Sequence, residues 1–551
     1  MDYVIVGAGS AGCVLAARLT EDPQVRVTLL EAGPPDSSVL IHCPAGLALL
    51  AKFGRENWGF QTVPQPGLAG RRGYQPRGKV LGGSSSVNAM IYMRGVPGDY
   101  NAWAAEGNVG WGWDEVLPFF KRAENNERGA DAWHGAGGPL NVMDLCDPNP
   151  FAQAFVEAGV QAGHVHNRDF NGAEQEGVGL YQVTHKGGER CSAAKAYLTP
   201  NLSRPNLRVL TGVHVTRVLL EHGRAVGVAY LEGGAERTLR AEREVILSAG
   251  AFQSPQLLML SGIGPAGHLR EHGIAVQHEL PGVGLHLHDH PDVVQVWNVP
   301  GAHELFGLSP TGAWRTVGDI RRWREARRGP MTSNFAEAGG FLKSDPAESL
   351  PDLQLHFVVG KLVDHGRATV FGHGFSCHVC VLRPRSRGSV RLASSDPLAA
   401  PLIDPAFLQE PDDLRRLVRG FRLMRDLLQQ PALARRGGRE QSAGARSDAE
   451  IETFIRQHAD TIYHPVGSCR MGSGPLDVVD ARLRVRGVEG LRVVDASVMP
   501  RVVGGNTNAP VIMIAERVAH WIRKGPSASS NATASASGGA AAGVSAGSAG
   551  A

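Results

Sequence analysis

The chain opens "MDYVIVGAGSAGCVLAARL", and nothing else in its 551 residues constrains the fold so tightly. A short apolar run, Asp2–Val6, gives way to Gly7-Ala8-Gly9-Ser10-Ala11-Gly12 and then to apolar residues at helical spacing. Strand, glycine turn and helix, in that order, form the unit that binds a dinucleotide at the start of a parallel sheet. Gly7 permits the tight turn, Gly9 lets the backbone approach a pyrophosphate, and Gly12 allows the helix to pack closely on the strand. The helix N-terminus then offers N–H groups and a partial positive charge to the phosphates. A second apolar run, "VRVTLLEAG", ends in Glu31, nineteen residues after Gly12. A carboxylate there can accept both hydrogen bonds of a ribose diol and repels a 2′-phosphate, which disfavours NADP. The fingerprint does not separate NAD from FAD.

A chain of this length exceeds what one core usually holds, so two domains are expected. Hydrophobic residues at 42%, charged residues at 20% and a net charge of +3 fit a soluble protein and give no argument for nucleic acid. No run of about 18 apolar residues suggests a membrane span. "DYVIV" reads as a strand rather than as a secretory signal. The seven cysteines are odd in number and scattered, which argues against a disulfide framework and for a reducing cytoplasm. Cys377 and Cys380, in "FSCHVCVL", have no second pair to complete a zinc site, so no metal is expected and they read as buried thiols on a strand. From Gly525 the chain becomes a Ser/Ala/Gly tract, expected to be a disordered tail over 525–551.

Further β-α signals recur along the chain. "REVILSAGAFQSPQLLMLSGIGP" reads as a strand at Glu244–Ser248, a glycine turn and a helix from about Ser254 to Leu260. "LRVVDASVMP" is another strand with an acidic end. In "GGNTNAPVIMIAERVAHWI", Val511, Ile514, Ala515, Val518 and Ile522 fall at helical spacing, and Pro510 suits a first helical turn. These pieces must converge on one sheet. Between them, residues 300–450 alternate apolar and polar in several runs and then turn helical near Pro411–Leu428, which predicts an antiparallel sheet covered by helices. The "GKVLGGSSSVNAMIYMRG" loop has small side chains and many backbone donors, so it can lie flat against a large planar ligand. "YHPVGSCRMG" places His464 directly before Pro465, which biases the histidine to extended backbone.

Taken together and in this order, "GKVLGGSSSVN", "GAFQSPQLLMLSGIG", "YHPVGSCRMG" and "VVDASVMP" with "GGNTNAP" resemble the glucose–methanol–choline (GMC) family of FAD-dependent oxidoreductases over roughly residues 1–524. The text is most similar to its choline-dehydrogenase-like alcohol dehydrogenases. The resemblance implies an α/β fold: a Rossmann-like FAD-binding domain made of 1–155, 190–299 and 455–524, with an inserted substrate domain of 156–189 and 300–454. It implies oxidation of a primary alcohol by hydride transfer to flavin N5. His464 is the expected base, and Asn508, 44 residues on, its hydrogen-bonding partner. The helix starting near Asn508 is expected to point its positive end at the flavin.

The same resemblance assigns FAD contacts to Gly7, Gly9, Ser10, Ala11 and Gly12, with Glu31 and Ala32 at the ribose. Leu81, Gly83 and Asn88 follow from the serine-rich loop, and Val215 lies beside the adenine. Asp495, Ala496 and Pro510 complete the expected set. Some relatives link FAD covalently through a histidine before the asparagine; position 87 is Val87 here, so non-covalent FAD is expected. Choline would require an anionic or aromatic cage, for which Glu337 is the candidate, but the motif wording favours another aliphatic or aromatic alcohol. A quinone or other redox partner is the expected acceptor, with O2 as the alternative and peripheral contact with the inner membrane compatible. A hydroxynitrile lyase or a photodecarboxylase on the same fold is disfavoured by the His/Asn pair.

Overall fold

The protein is described by a computed structural model covering residues 1–525; the tail expected beyond Gly525 lies outside the described residues. Two sheets organise it. The first holds five parallel strands in the order Leu207–Thr211, Val27–Glu31, Tyr3–Val6, Glu244–Leu247, Leu491–Val493. The three β-α signals read from sequence therefore do converge. The strand Leu207–Thr211, which had no clear signal, extends the edge. The helices Ser10–Leu19 and Asn508–Lys524 pack against each other on this sheet, and their apolar faces merge with its buried valines, leucines and isoleucines. Burying each such side chain contributes about 1.5–3 kcal/mol.

The second sheet is antiparallel and centres on Pro291–Asn298, Gly372–Val381, Leu353–Val358, Ala336–Leu342 and Gly177–Leu180, paired in that order. The period-two rule sorts its residues. Phe375, Cys377, Val379 and Val381, with Leu353, Leu355 and Phe357, join one core with the helices Pro411–Leu428 and Pro150–Gln161. Gly420 is where the long helix comes closest: a Cβ there would stand 2.8 Å from Val379 Cγ2. The alternate residues, Gln354, His356 and Val358 with Ser376, His378 and Cys380, turn to the opposite face. That face looks into the interior between the two sheets.

Several expectations need adjusting. Pro291–Asn298, placed by sequence in the nucleotide-binding segment 190–299, pairs over its length with Gly372–Val381 and so belongs to the second sheet. Asp460–Thr461 also pairs with it. The helix expected from Ser254 begins at Gly250, where Asp495 accepts from the Gly250 N–H at 2.8 Å and from Ser254 Oγ at 2.5 Å. Pro411–Leu428 is helical as read. Cys377 and Cys380 are buried free thiols on a strand, one on each face of the sheet. Among the described residues no helix is long and apolar enough to cross a membrane, and no cluster of His, Cys, Asp or Glu is arranged to hold a metal.

Candidate active site

A single cavity of 1120 Å³ runs from the N-terminal glycine turn to the polar face of the antiparallel sheet. That is larger than the space most drug-sized ligands need. At one end lie Gly7, Gly9, Ser10, Ala11, Glu31 and Ala32. The turn is built as its sequence demands. Gly7 has φ +97°, and a Cβ there would sit 2.5 Å from Ser248 O. A Cβ on Gly12 would stand 1.9 Å from Gly7 O, so only glycine lets the helix seat on the turn. Gly9 differs: its nearest protein atom would be 3.9 Å away, so protein packing does not require glycine there. The space in front of it belongs to the cavity. No side chain caps the helix that starts at Ser10, which leaves its first-turn N–H groups for an anion.

Glu31 is fully buried, with Oε2 accepting from Ala8 N at 2.9 Å and Oε1 from Gly33 N at 2.8 Å. Burial pushes its carboxyl up to about 7. Each oxygen keeps a second lone pair for a ligand hydroxyl. Gly83 (φ +54°) lays the serine-rich loop on the turn, 2.7 Å from Gly9 Cα for a Cβ placed there. Val215, Asp495 and Ala496 also line this end. Asp495 spends its oxygens on Gly250, Ser254 and Ser497, joining the end of one strand to the helix after another. Leu81 and Pro510 do not line the cavity: Leu81 is packed in the core behind the loop, and Pro510 is buried at the third position of its helix.

Asn88 lines the middle of the cavity. Its Oδ1 accepts from Met90 N at 3.0 Å and from Arg190 Nη1 at 2.9 Å, and Arg190 also donates to Asn88 O at 2.6 Å and to Ile41 O at 2.9 Å. Burial lowers the Arg190 guanidinium to about 9. Nothing in the sequence singled out this arginine.

At the far end, His464 is held on every side. Its backbone N–H donates to Asp289 Oδ1 at 2.9 Å, and Asp289 Oδ2 accepts from Thr461 Oγ1 at 2.5 Å. Tyr463 adopts φ +76°, a strained conformation for a bulky residue, fixed by Arg77 Nη2 on its carbonyl at 3.0 Å and by its hydroxyl 2.7 Å from His365 Nδ1. The ring makes two contacts: Nδ1 is 3.0 Å from His290 Nδ1, and Nε2 is 3.1 Å from Asn506 Nδ2.

The asparagine against His464 is therefore Asn506, 42 residues on, and not Asn508. Asn508 Oδ1 instead accepts from Ser10 Oγ at 2.7 Å, at the nucleotide end. The cause is the Gly504–Gly505 turn. It is pinned by Gly504 N on Asp99 Oδ2 (2.8 Å) and by Gln175 Nε2 on Gly504 O (2.8 Å), and it turns Asn506 inward before the helix begins at Asn508. Gln354 Nε2 donates to Asn506 Oδ1 at 3.1 Å, which orients the amide with its NH2 toward His464 Nε2. In this arrangement Nε2 carries the lone pair and Nδ1–H points to His290. Burial, together with His290, His356 and Arg77, holds the His464 pKa well below the usual histidine value, so the ring is neutral near pH 7.

Among the other imidazoles that line the cavity, two are cross-strand neighbours on the antiparallel sheet. His378 Nδ1 is 2.6 Å from Asp292 Oδ2, and His356, its register partner on the next strand, has both ring nitrogens buried and unpaired within the described residues. The run "HLHDHPD" at 286–292 supplies His290, Asp289 and Asp292. It was a visible anomaly in the sequence whose role only the fold discloses. Glu337 does not line the cavity; its oxygens are taken by Asn149 N at 2.6 Å and Ser333 Oγ at 2.5 Å.

Comparison with known proteins agrees with this architecture. Residues 1–292 match the N-terminal and residues 384–515 the C-terminal sequence model of the GMC oxidoreductases. The chain is 49% identical to an alcohol dehydrogenase (acceptor) of Pseudomonas putida over 538 residues, 97% of each chain. It is 44% identical to an oxygen-dependent choline dehydrogenase of Rhizobium etli, covering 96% of this chain and 97% of that one. Its fold is similar to that of an FAD-dependent oxidoreductase from Chaetomium thermophilum, with TM-score 0.86 and 28% identity over 95% of this chain and 99% of the other.

Proposed function

The chain belongs to the GMC oxidoreductase family, and from that premise we propose that it is an FAD-dependent alcohol dehydrogenase that converts a primary alcohol to its aldehyde. The observation that carries the reading is the buried neutral His464, its Nε2 lone pair directed at Asn506 on the wall of a cavity whose other end is a dinucleotide cradle.

The residues present fit FAD. Gly9 leaves space where no protein atom needs it, the helix at Ser10 is uncapped, Glu31 retains acceptor capacity, and the cavity continues without interruption to His464. Gly7, Gly9, Ser10, Ala11 and Gly83 would hold the diphosphate side, Glu31 and Val215 the adenosine, and Asn88, fixed by Arg190, the central loop. The N-terminal end of the helix at Asn508 opens on the cavity through Thr507, Asn508 and Val511 and brings its partial positive charge there. Val87 offers no nucleophile for a covalent link. When bound, FAD supplies the hydride acceptor for the alcohol carbon.

The chain's own part is proton handling and positioning. His464 Nε2 takes the hydroxyl proton. The proton then stays on Nε2, and Nδ1–H···His290 gives the ring a polar neighbour while it is charged. Asn506 Nδ2 donates to the substrate oxygen as negative charge develops on it. His356 and His378 offer further polar contacts on the same wall. Glu337, the carboxylate expected to meet a quaternary ammonium, is turned away from the cavity, and we favour an uncharged alcohol over choline. For the acceptor we favour a quinone or another redox partner over O2; the Pseudomonas relative's name specifies an acceptor without saying which. The free thiols fit a cytoplasmic enzyme. We divide the chain into an FAD-binding domain and an inserted substrate domain along the expected lines, with 291–298 moved to the latter. The test is a panel of primary alcohols, choline included, assayed for aldehyde with an artificial electron acceptor. Turnover of uncharged alcohols that is lost in His464→Ala supports the assignment, and turnover restricted to choline overturns the substrate class.

A further inference from the structure

Arg94 and Arg190 are both closed off from solvent, and their charges are met differently. Arg94 stands 3.7 Å from Glu124 Oε2, so a buried carboxylate answers it. Arg190 is 1% exposed, and among the described residues no carboxylate lies within ion-pair reach of it. The titratable group that does act on it is the Cys43 thiol, which burial keeps protonated at neutral pH. Glu189, its neighbour in the chain, is engaged by Lys195 and Arg327. The hydrogen bonds of Arg190 go to neutral oxygens: Nε to Ile41 O at 2.9 Å, Nη1 to Ser85 O at 3.2 Å, and Nη1 to both oxygens of Asn88. Nη2 is buried with no partner among the described residues. A buried charge without a counterion is costly, and such groups concentrate where the charge is used.

Its place in the fold points to the use. Ser85 and Asn88 line the cavity on the loop that lies over Gly9, and Arg190 sits directly behind them. Asn88 Oδ1 is occupied by Met90 N and by Arg190, which fixes the amide and leaves Nδ2 for an acceptor on the ligand. The diphosphate of FAD has its own donors in the uncapped helix at Ser10. The isoalloxazine ring is the part of FAD whose charge changes, because accepting a hydride leaves it one unit more negative. A fixed cation in a low-dielectric wall favours that reduced state over the oxidised one.

We propose that Arg190 is a positioning residue that orients the Asn88 amide and, as a fixed positive charge behind it, raises the reduction potential of the bound flavin and holds the two-electron reduced ring as its anion. The proposal rests on FAD as the cofactor and is independent of which alcohol is oxidised.

The test uses the full FAD-loaded protein without alcohol, equilibrated anaerobically with a reductant and a reference dye. The parent is expected to show a potential that falls by about 30 mV per pH unit between pH 6 and pH 8, one proton for two electrons. Twice that slope means a neutral reduced ring and overturns the proposal; this reading holds even where a variant does not fold. Arg190→Met and Arg190→Gln are expected to lower the two-electron equilibrium constant tenfold or more, about 30 mV at pH 7. Arg190→Lys keeps the charge without the planar fork and should recover most of that loss. A purely structural role would reduce FAD content or melting temperature in all three and leave the potential of the retained FAD unchanged. Unchanged potentials in the FAD-loaded neutral variants therefore overturn the proposal, as does a lysine variant no higher than the methionine one. Weaker FAD binding at constant potential would assign the charge to the diphosphate instead.

Discussion

Replacing Asn506 and Asn508 separately by alanine distinguishes two residues only two positions apart, one just before the helix and one at its start, whose side chains meet different partners. Asn506 Nδ2 stands 3.1 Å from His464 Nε2 with its amide fixed by Gln354, so it is a preorganised donor on the wall where the alcohol oxygen must lie. Loss of one such donor typically costs about 3 kcal/mol of transition-state stabilisation, roughly 10²–10³ in kcat. Asn508 accepts one hydrogen bond from Ser10 Oγ at the nucleotide end. Its loss costs about 1 kcal/mol, felt as weaker retention of FAD rather than slower chemistry. The assay is anaerobic stopped-flow of the alcohol half-reaction, with FAD content measured on the same samples. Asn506→Ala should keep its FAD and slow by two to three orders of magnitude, whereas Asn508→Ala, once saturated with FAD, should react within a few-fold of the parent. A fast Asn506→Ala and a slow, FAD-replete Asn508→Ala would refute the reasoning.

Gly9→Ala should fold, since its new Cβ meets no protein atom closer than 3.9 Å, yet purify with much less FAD; Gly12→Ala places a Cβ 1.9 Å from Gly7 O and should not give folded protein. Circular dichroism and bound-flavin content separate the two. Stability should also fall in acid. His185, His290 and His356 are depressed to about 3 by burial, and His288 and His464 lie well below their usual value, so the unfolded chain binds protons that the folded one refuses. For each, stability is complete above the unfolded value near 6.5 and declines below it by about 1.4 kcal/mol per pH unit until the folded value is reached. Glu31 and Glu337, raised to about 7, and Asp289, raised to about 6, act oppositely between their unfolded values and those pH values. Their effect is exhausted once pH drops below the ordinary carboxylate range, so the steepest loss in urea midpoint should lie from about pH 4 downward. A flat midpoint between pH 7 and pH 4 and beyond would count against these neutral histidines.

The nucleotide end was legible because its signals are local. Gly7, Gly9, Gly12 and Glu31 act through backbone geometry and through a strand they themselves terminate, so sequence spacing suffices. The partner of His464 was misplaced by two residues because a separation counted along the chain passes over the Gly504–Gly505 turn, whose shape depends on Asp99 and Gln175, about 400 and 330 residues away in sequence. Arg190 and Arg77 gave no sign, since only burial distinguishes them from surface arginines. The pairing of Pro291–Asn298 with the second sheet was hidden for a similar reason: strand partners separated by some eighty residues leave no local pattern. Glu337 could not be placed from sequence because one of its two partners, Asn149 N–H, lies 188 residues away, while the other, Ser333, is only four residues before it.

The most direct test of the central claim is anaerobic mixing of FAD-loaded protein with a primary alcohol while the visible flavin absorbance is followed, for the parent and for His464→Ala. The account predicts rapid bleaching in the parent and bleaching slowed by orders of magnitude in the variant, with equal FAD content in both. Equal bleaching rates would contradict the role of His464, and an unbleached parent across the alcohol panel would contradict alcohol oxidation itself.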